Sequence, residues 1–499
     1  MLEHITSSIN LFLPETVLTV TFCILILTAL TKRKQGPISG YLAIAGLLVT
    51  AYVLYQQVGT ESKAIFFGMI VLDSFSIFFR FLILITTFLV VIFSLQSQEL
   101  KKGSQNVGEY YALLMALSLG LFLMTGAAHL LMMYLGLELS SISAYILTGY
   151  TKESDDSSEA SLKYIIYGAF SSGMMLFGIS ILYGLTGTFD IYAIGGALMI
   201  REVSMIALLI AGILILVGFG YKISAVPFHF WTPDVYQGAP ITITAFLSVA
   251  SKAAGFAMLI RFFTIAFYDP TVGNLGAGVR ATISGFDWNL ILAVLSVLSM
   301  TIGNFVALWQ NNLKRLLAYS SIAHAGYMLM GVVVLSNGGI SAVLIYFVVY
   351  LFMNLGAFYS VMIIAEKIGS EDIDSYKGLG YRAPFIGVAL TIFLLSLTGI
   401  PPTAGFIGKL YIFASLIDAR WFWLAIVGVL NSVVSLYYYI RIIRNMFLRS
   451  PEGNTESLSV SFGQVIVIII ILIPTLLFGL YFGPLVDVAQ ASVSMFGLR

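Results

Sequence analysis

From Val465 to Gly483 the chain reads Val-Ile-Val-Ile-Ile-Ile-Ile-Leu-Ile-Pro-Thr-Leu-Leu-Phe-Gly-Leu-Tyr-Phe-Gly, with no charged side chain. Similar apolar runs of about 18 to 28 residues recur along the sequence. A run of that length matches the hydrocarbon thickness of a bilayer when wound as a helix, whereas a membrane strand needs only about 10 residues with strict alternation. Without water, every backbone N–H and C=O must pair inside the protein, so spanning segments are helices or closed barrels. The run lengths select helices. The expected fold is therefore all-α, a polytopic membrane protein of about 14 transmembrane helices. Composition agrees. Hydrophobic residues make up 59% and charged residues 10%, against about 25% charged in ordinary soluble domains.

The same composition narrows the function. A net charge of +1 gives no field to attract nucleic acid. The single cysteine, Cys23, provides no disulfide framework and cannot by itself hold an Fe–S cluster. His4, His129, His229 and His324 are widely separated, and no spacing suggests a metal site. Neither a dinucleotide-binding glycine motif nor a P-loop is present. The first apolar segment lacks a basic leader and a small-residue cleavage site, and Lys32-Arg33-Lys34 follow it directly. It reads as an uncleaved first span.

Spans are expected near 13–31, 38–58, 70–95, 109–126, 130–149, 161–186, 205–230, 241–265, 289–309, 315–336, 339–365, 385–416, 421–446 and 461–484. Lys and Arg concentrate in one set of loops: Lys32, Arg33, Lys34, Lys101, Lys102, Lys152, Lys314, Arg315, Lys367, Lys377, Arg382, Arg441, Arg444 and Arg449. The opposite set holds Lys63, Arg201, Arg280 and Arg420, plus the terminal Arg499. Cytoplasmic loops carry the positive excess. With an even number of spans, both termini are expected on the outer side. Two spans contain breakers. The seventh reads Gly220-Tyr221-Lys222-Ile223-Ser224-Ala225-Val226-Pro227, and the twelfth reads Thr398-Gly399-Ile400-Pro401-Pro402-Thr403-Ala404-Gly405 before Lys409. Proline lacks an N–H and frees a carbonyl one turn earlier. The breaks lie five spans apart, an odd number, so the two halves run through the membrane in opposite senses. Paired interrupted helices point to inverted repeats with the ion site between them. The expected organisation is helices 1–3 in residues 1–108, one five-helix repeat in 109–265, a second in 289–446, and the last helix in 447–499.

Ionisable groups at mid-membrane depth are expensive, about +2.5 to +3.5 kcal/mol for Lys or Asp at a helix centre. Glu138, Lys222, Lys252 and Lys409 fall deep in spans, together about 10 kcal/mol of insertion cost. The physical use of such groups is proton transfer: burial drives a lysine toward neutrality and a nearby carboxylate restores its charge. Glu138 and Lys222 form the expected switching pair, with Lys252 and Lys409 as later stations. The plainer reading of each is a helix clamp. His324 suits either relay or core, and His229 lies near a helix end, where a structural role is favoured. Lys163 and Lys314 are expected to snorkel. Asp73 and Arg80, seven apart, are expected to pair with each other. Trp231, Trp309 and Trp421 read as interface anchors, and Tyr437-Tyr438-Tyr439 as packing.

The stretch Gly136-Leu137-Glu138-Leu139-Ser140-Ser141 resembles the fifth-helix motif of the antiporter-like subunits of respiratory complex I. Phe219-Gly220-Tyr221-Lys222-Ile223-Ser224-Ala225-Val226-Pro227-Phe228-His229-Phe230-Trp231-Thr232-Pro233-Asp234 extends that resemblance, as do Lys314-Arg315-Leu316-Leu317-Ala318-Tyr319-Ser320-Ser321-Ile322-Ala323-His324 and Gly399-Ile400-Pro401-Pro402-Thr403-Ala404-Gly405-Phe406-Ile407-Gly408-Lys409. The similarity covers nearly the whole chain. It implies a proton-translocating membrane subunit of an NADH-quinone oxidoreductase in the bacterial cytoplasmic (inner) membrane. Glu138 and Lys222 would be the coupling pair, Lys252 the central relay, Lys409 the terminal carrier, and His324 and His229 further relay groups. NADH, FMN, Fe–S clusters and quinone would belong to partner subunits. Those partners would include antiporter-like M- and L-type chains and the small K-, J-, A- and H-type chains, with membrane lipid around them and no nucleic acid. The L type carries extra C-terminal helices not found in this sequence, and the M type a glutamate where Lys409 stands. The alternatives are an ion-translocating subunit of a multisubunit cation/proton antiporter or of a membrane-bound hydrogenase, and a purely structural scaffold.

Overall fold

In a computed structural model, residues 2–31, 36–102, 107–268, 274–275, 279–280, 282, 287–450 and 457–495 are described. The loop residues Lys32, Arg33, Lys34 and Arg499, and the side chains of His4, Lys102 and Arg280, lie outside this description.

The N-terminal group comprises α1 (Leu2–Leu11), α2 (Leu13–Thr31), α3 (Gly36–Tyr55), the hairpin β1 (Lys63–Ile65) with β2 (Ile70–Leu72), α4 (Ser74–Gln96) and the short α5 (Gln98–Lys102). The antiparallel hairpin pairs Ala64 with Val71 and was not expected from the sequence. The next group is α6 (Val107–Gly126), α7 (Leu130–Thr148), α8 (Asp155–Thr186), α9 (Ile191–Ile200), α10 (Met205–Ile223), α11 (Trp231–Gly238), α12 (Ile241–Phe246), a π turn Leu247–Ser251, and α13 (Lys252–Ile265). Two-residue strands β3 (Asn274–Leu275) and β4 (Val279–Arg280) precede α14 (Trp288–Ala307), α15 (Leu313–Val333) and α16 (Asn337–Ile368). Then come α17 (Leu379–Arg382), α18 (Pro384–Thr398), α19 (Ala404–Asp418), α20 (Phe422–Leu448), α21 (Phe462–Leu480) and α22 (Gly483–Ala491).

Thirteen helical segments among the described residues are long and apolar enough to cross a membrane. The broken pair α18 and α19 supplies the fourteenth, with 15 residues on each side of the break. The expected all-helical polytopic fold is thus the observed one. Both expected interruptions are present. α10 stops at Ile223, where Ser224 takes a left-handed conformation at φ 61°, and the chain turns past Pro227 before α11. α18 stops at Gly399, at φ 88°, a backbone region that favours glycine. α12, the π turn and α13 form one 25-residue span that is buried along its length. Around it, α2, α3, α8, α20 and α21 turn large apolar side chains outward, among them Leu30, Phe170, Val433 and Ile473. An apolar periphery is what lipid as a solvent requires.

Candidate functional site

Lys222 occupies the last turn of α10, just before the Ser224 cap. Its ammonium donates to Ser140 Oγ at 2.7 Å and Ser141 Oγ at 3.2 Å, both on α7. The expected partner, Glu138, is one turn back on the same helix. Among the described residues no ion pair joins Glu138 to Lys222, although the carboxylate acts on the ammonium through space. Glu138 instead lines a cleft of about 500 Å³ on the flank between α7 and α8, with Tyr134, Ile142, Tyr145, Ile165 and Ser172. Lys222 is thus held by the two serines of α7, while Glu138 on the same helix faces the cleft.

The Lys222 stem packs on Gly255: a methyl group there would meet Cγ at 3.2 Å. Gly255 lies one turn after Lys252 on α13. Lys252 is completely buried. Its ammonium donates to the backbone oxygen of Ser321 at 2.8 Å and to Ser321 Oγ at 2.9 Å. His324 follows Ser321 by three residues, on the same face of α15. Its Nδ1 shares a hydrogen bond with the Tyr346 hydroxyl at 2.7 Å, and its Nε2 faces the Tyr439 hydroxyl at 3.4 Å. Tyr439 also bonds Ser320 at 2.5 Å. One turn further along α15, the Tyr327 ring lies 4.5 Å below the Lys409 ammonium. Lys409 itself donates to the Thr398 carbonyl, freed by the α18 break, and to Ser432 Oγ, each at 2.7 Å.

Glu138, Lys222, Lys252, His324 and Lys409 are thus brought into one line crossing the bundle from α7 to α19. His229 lies close enough to Lys252 to feel its charge but is not hydrogen-bonded into this line. It is buried in the segment between α10 and α11 against Phe230, and among the described residues no hydrogen bond ties it to the lysines. The intervening hydroxyls were not singled out in the sequence, yet Ser140-Ser141 and Ser320-Ser321 stand inside the motifs, and Tyr327 and Ser321 are each three residues from His324.

Several expectations are corrected. Asp73 does not pair with Arg80. It caps α4, accepting from Ser76 N, and binds Arg261 through both oxygens, while Arg80 pairs with Glu15 at 2.7 Å. Trp231 is buried, stacked on Tyr164, and donates to the Tyr221 carbonyl at 3.1 Å; it anchors the break rather than an interface. Tyr439 bonds Ser320 and faces His324, beyond simple packing. Lys163 and Lys314 do not simply snorkel. Lys163 pairs with Glu159 and Asp234 at 2.7 and 2.6 Å. Lys314 pairs with Glu371 at 3.0 Å and donates to the Ala239 carbonyl at 3.1 Å. On this basic face a second cleft of about 510 Å³ is lined by Glu99, Lys314, Glu366 and Glu371. Burial pushes the Glu99 carboxyl up, with Lys314 pulling against it.

The family described as NADH:quinone oxidoreductase/Mrp antiporter, TM, matches residues 127–435. The chain belongs to this family. It is 46% identical, over 100% of its length and 97% of the relative's, to NADH-quinone oxidoreductase subunit N of Chlorobium chlorochromatii (strain CaD3). It is 48% identical to NADH-quinone oxidoreductase subunit N 2 of Chloroherpeton thalassium (strain ATCC 35110 / GB-78), over 97% of this chain and 94% of that one. A chain of respiratory complex I from Thermus thermophilus, solved with bound aureothin, superposes with a TM-score of 0.77 at 29% identity, covering 96% of this chain and 99% of that one. The matched span contains every member of the line from Glu138 to Lys409.

Proposed function

We propose that the chain is the N-type proton-translocating membrane subunit of an NADH-quinone oxidoreductase, carrying protons along Glu138, Lys222, Lys252, His324 and Lys409 while quinone is reduced in other subunits. The observation that carries the reading is the way the three lysines are held. Each ammonium is buried and bound by neutral hydroxyl or carbonyl oxygens, and among the described residues none forms an ion pair. A lysine locked to a carboxylate keeps its proton; a lysine held by neutral oxygen in a dry site gives it up at much lower energy. Serine and tyrosine hydroxyls both donate and accept, so they suit the gaps between stations. His324, with a tyrosine hydroxyl facing each ring nitrogen, links Lys252 to Lys409.

The basic face is taken as cytoplasmic and both termini as outside. NADH, FMN, Fe–S clusters and quinone are assigned to partner subunits, among them M- and L-type antiporter-like chains and small K-, J-, A- and H-type chains. Residues 109–265 and 289–446 are proposed as the two inverted repeats. Their helix lengths support this: α6 has 20, α7 19 and α8 32 residues, against 20 for α14, 21 for α15 and 32 for α16, and in each half the next span is the broken one.

The test is the whole complex in liposomes with Lys222→Ala. The expected result is retained assembly with protons pumped per electron reduced at least about tenfold, the effect of about 1.4 kcal/mol on a barrier. Unchanged pumping per electron would reject the relay.

A further inference from the structure

Arg261 lies nine residues beyond Lys252 on α13, about 13 Å closer to the face poor in Lys and Arg. Its guanidinium is completely buried. Nη1 donates to Asp73 Oδ2 at 2.7 Å and Nη2 to Asp73 Oδ1 at 2.9 Å. Nη2 also donates to the Thr125 carbonyl at 3.2 Å, near the end of α6, and the group lies 5.3 Å from the Phe75 ring centre. Beside it, Arg80 and Glu15 form a second ion pair with both side chains at 0% exposure. A methyl group on Gly126 would stand 3.0 Å from Arg80 Nη2, so both guanidiniums flank the last two residues of α6. The two pairs make one layer where α2, α4, α6 and α13 meet.

This layer differs chemically from the relay. The relay uses lysines, which can release a proton. The layer uses arginines, which do not deprotonate in proteins. Its two carboxylates are counter-ions to buried guanidiniums, and protonating either would leave a buried charge uncompensated, at a cost of several kcal/mol. Asp73, held by two guanidinium hydrogen bonds, therefore cannot take a proton at low energy; Glu15, which approaches Arg80 at 2.7 Å with no hydrogen bond to either of its carboxylate oxygens among the described residues, is the weaker of the two.

We propose that the Arg261–Asp73 pair, with Arg80–Glu15 beside it, seals the N-terminal half of the bundle against protons at the face poor in Lys and Arg, so that charge reaching Lys252 leaves through Ser321 and His324 toward Lys409. The proposal rests on the relay reading above. A seal and a helix clamp differ in one substitution. Arg261→Lys keeps a cation against Asp73, and so keeps the clamp, but its proton can be shared with the carboxylate.

The experiment uses the complete complex in liposomes without electron donor, under an imposed pH gradient, with an internal pH dye as readout. Passive proton conductance is expected to rise about tenfold in Arg261→Lys, as for a barrier lowered by about 1.4 kcal/mol, while quinone reduction is retained. Arg80→Lys provides the same measurement at the second pair. Assembled variants with parental conductance overturn the seal, and so does loss of assembly in both, which makes the pairs clamps alone. The relay reading fails separately: Lys222→Ala then pumps normally, whatever the leak.

Discussion

A side chain on residue 399 would strain the backbone and crowd the Lys409 stem. The backbone there has φ 88°, and a methyl group would meet Lys409 Cδ at 2.8 Å and Nζ at 3.5 Å. Gly399 thus closes α18 and at the same time leaves the volume that the Lys409 stem fills. Gly399→Ala is expected to cost about 1–3 kcal/mol of stability through backbone strain, and to push the ammonium off the Thr398 carbonyl. Two readouts separate these effects: the melting temperature of the purified complex, and the proton-to-electron ratio in liposomes. Both are expected to fall. A lower melting temperature with an unchanged ratio would mean that the position of the Lys409 ammonium does not limit transfer. Lys252 shows the same economy of contact, with both hydrogen bonds going to one residue, Ser321. Moving that serine moves the station.

At the scale of elements, Asp234 on α11 is the joint of the basic face. It accepts from Lys163 of α8 and Arg315 of α15, each at 2.6 Å. Burial pushes its carboxyl up, but these hydrogen bonds outweigh that and hold it below the ordinary aspartate value. A depressed carboxylate stabilises the fold above its unfolded pKa of about 3.9, and that contribution is lost as pH falls through the lower folded value. Asp234→Asn is therefore expected to destabilise the complex by about 1 kcal/mol at pH 7, the cluster being partly solvated. The gap should begin to narrow only below about pH 4 and close once pH is under the depressed folded value; melting curves at pH 7 and at a series of values below about 4 measure it, and a constant gap would show that packing, not charge, ties the three helices. Elements also mark where the sequence was readable. Breaks at Ser224–Pro227 and Gly399–Pro402 were legible because glycine and proline act locally. The π turn Leu247–Ser251 was not, since nothing in those residues stops a helix. It coincides with a contact from 106 residues away, Asn354 Nδ2 donating to Ser248 Oγ at 2.6 Å. The same distinction explains Asp73. Helical spacing pointed to Arg80, but an N-cap residue lies off the helix face, and its oxygens turn to Arg261, 188 residues along the chain. The line of buried lysines was legible through its insertion cost alone, whereas the hydroxyls between them carry no such cost and were visible only in three dimensions.

Across the whole molecule, the line of stations has one buried end and one open end. Lys409 is enclosed by α15, α18 and α20, but Glu138 opens onto the cleft between α7 and α8, where Ile142, Ile146 and Ile165 are 54%, 50% and 43% exposed. A carboxylate opening onto lipid is unfavourable at that depth. A neighbouring membrane subunit covering this flank removes the conflict and gives the carboxylate a partner on the side away from Lys222. Cover is measurable. In a Cys23→Ser background, Ile142→Cys places the sole thiol at the cleft. It is expected to react readily with a membrane-permeant maleimide in the isolated chain in detergent, and at least about tenfold more slowly in the intact complex, the change that burying a side chain by about 1.4 kcal/mol gives. Equal rates would leave Glu138 facing lipid in the assembly. A coupling role for the carboxylate would then have to act through Lys222 alone.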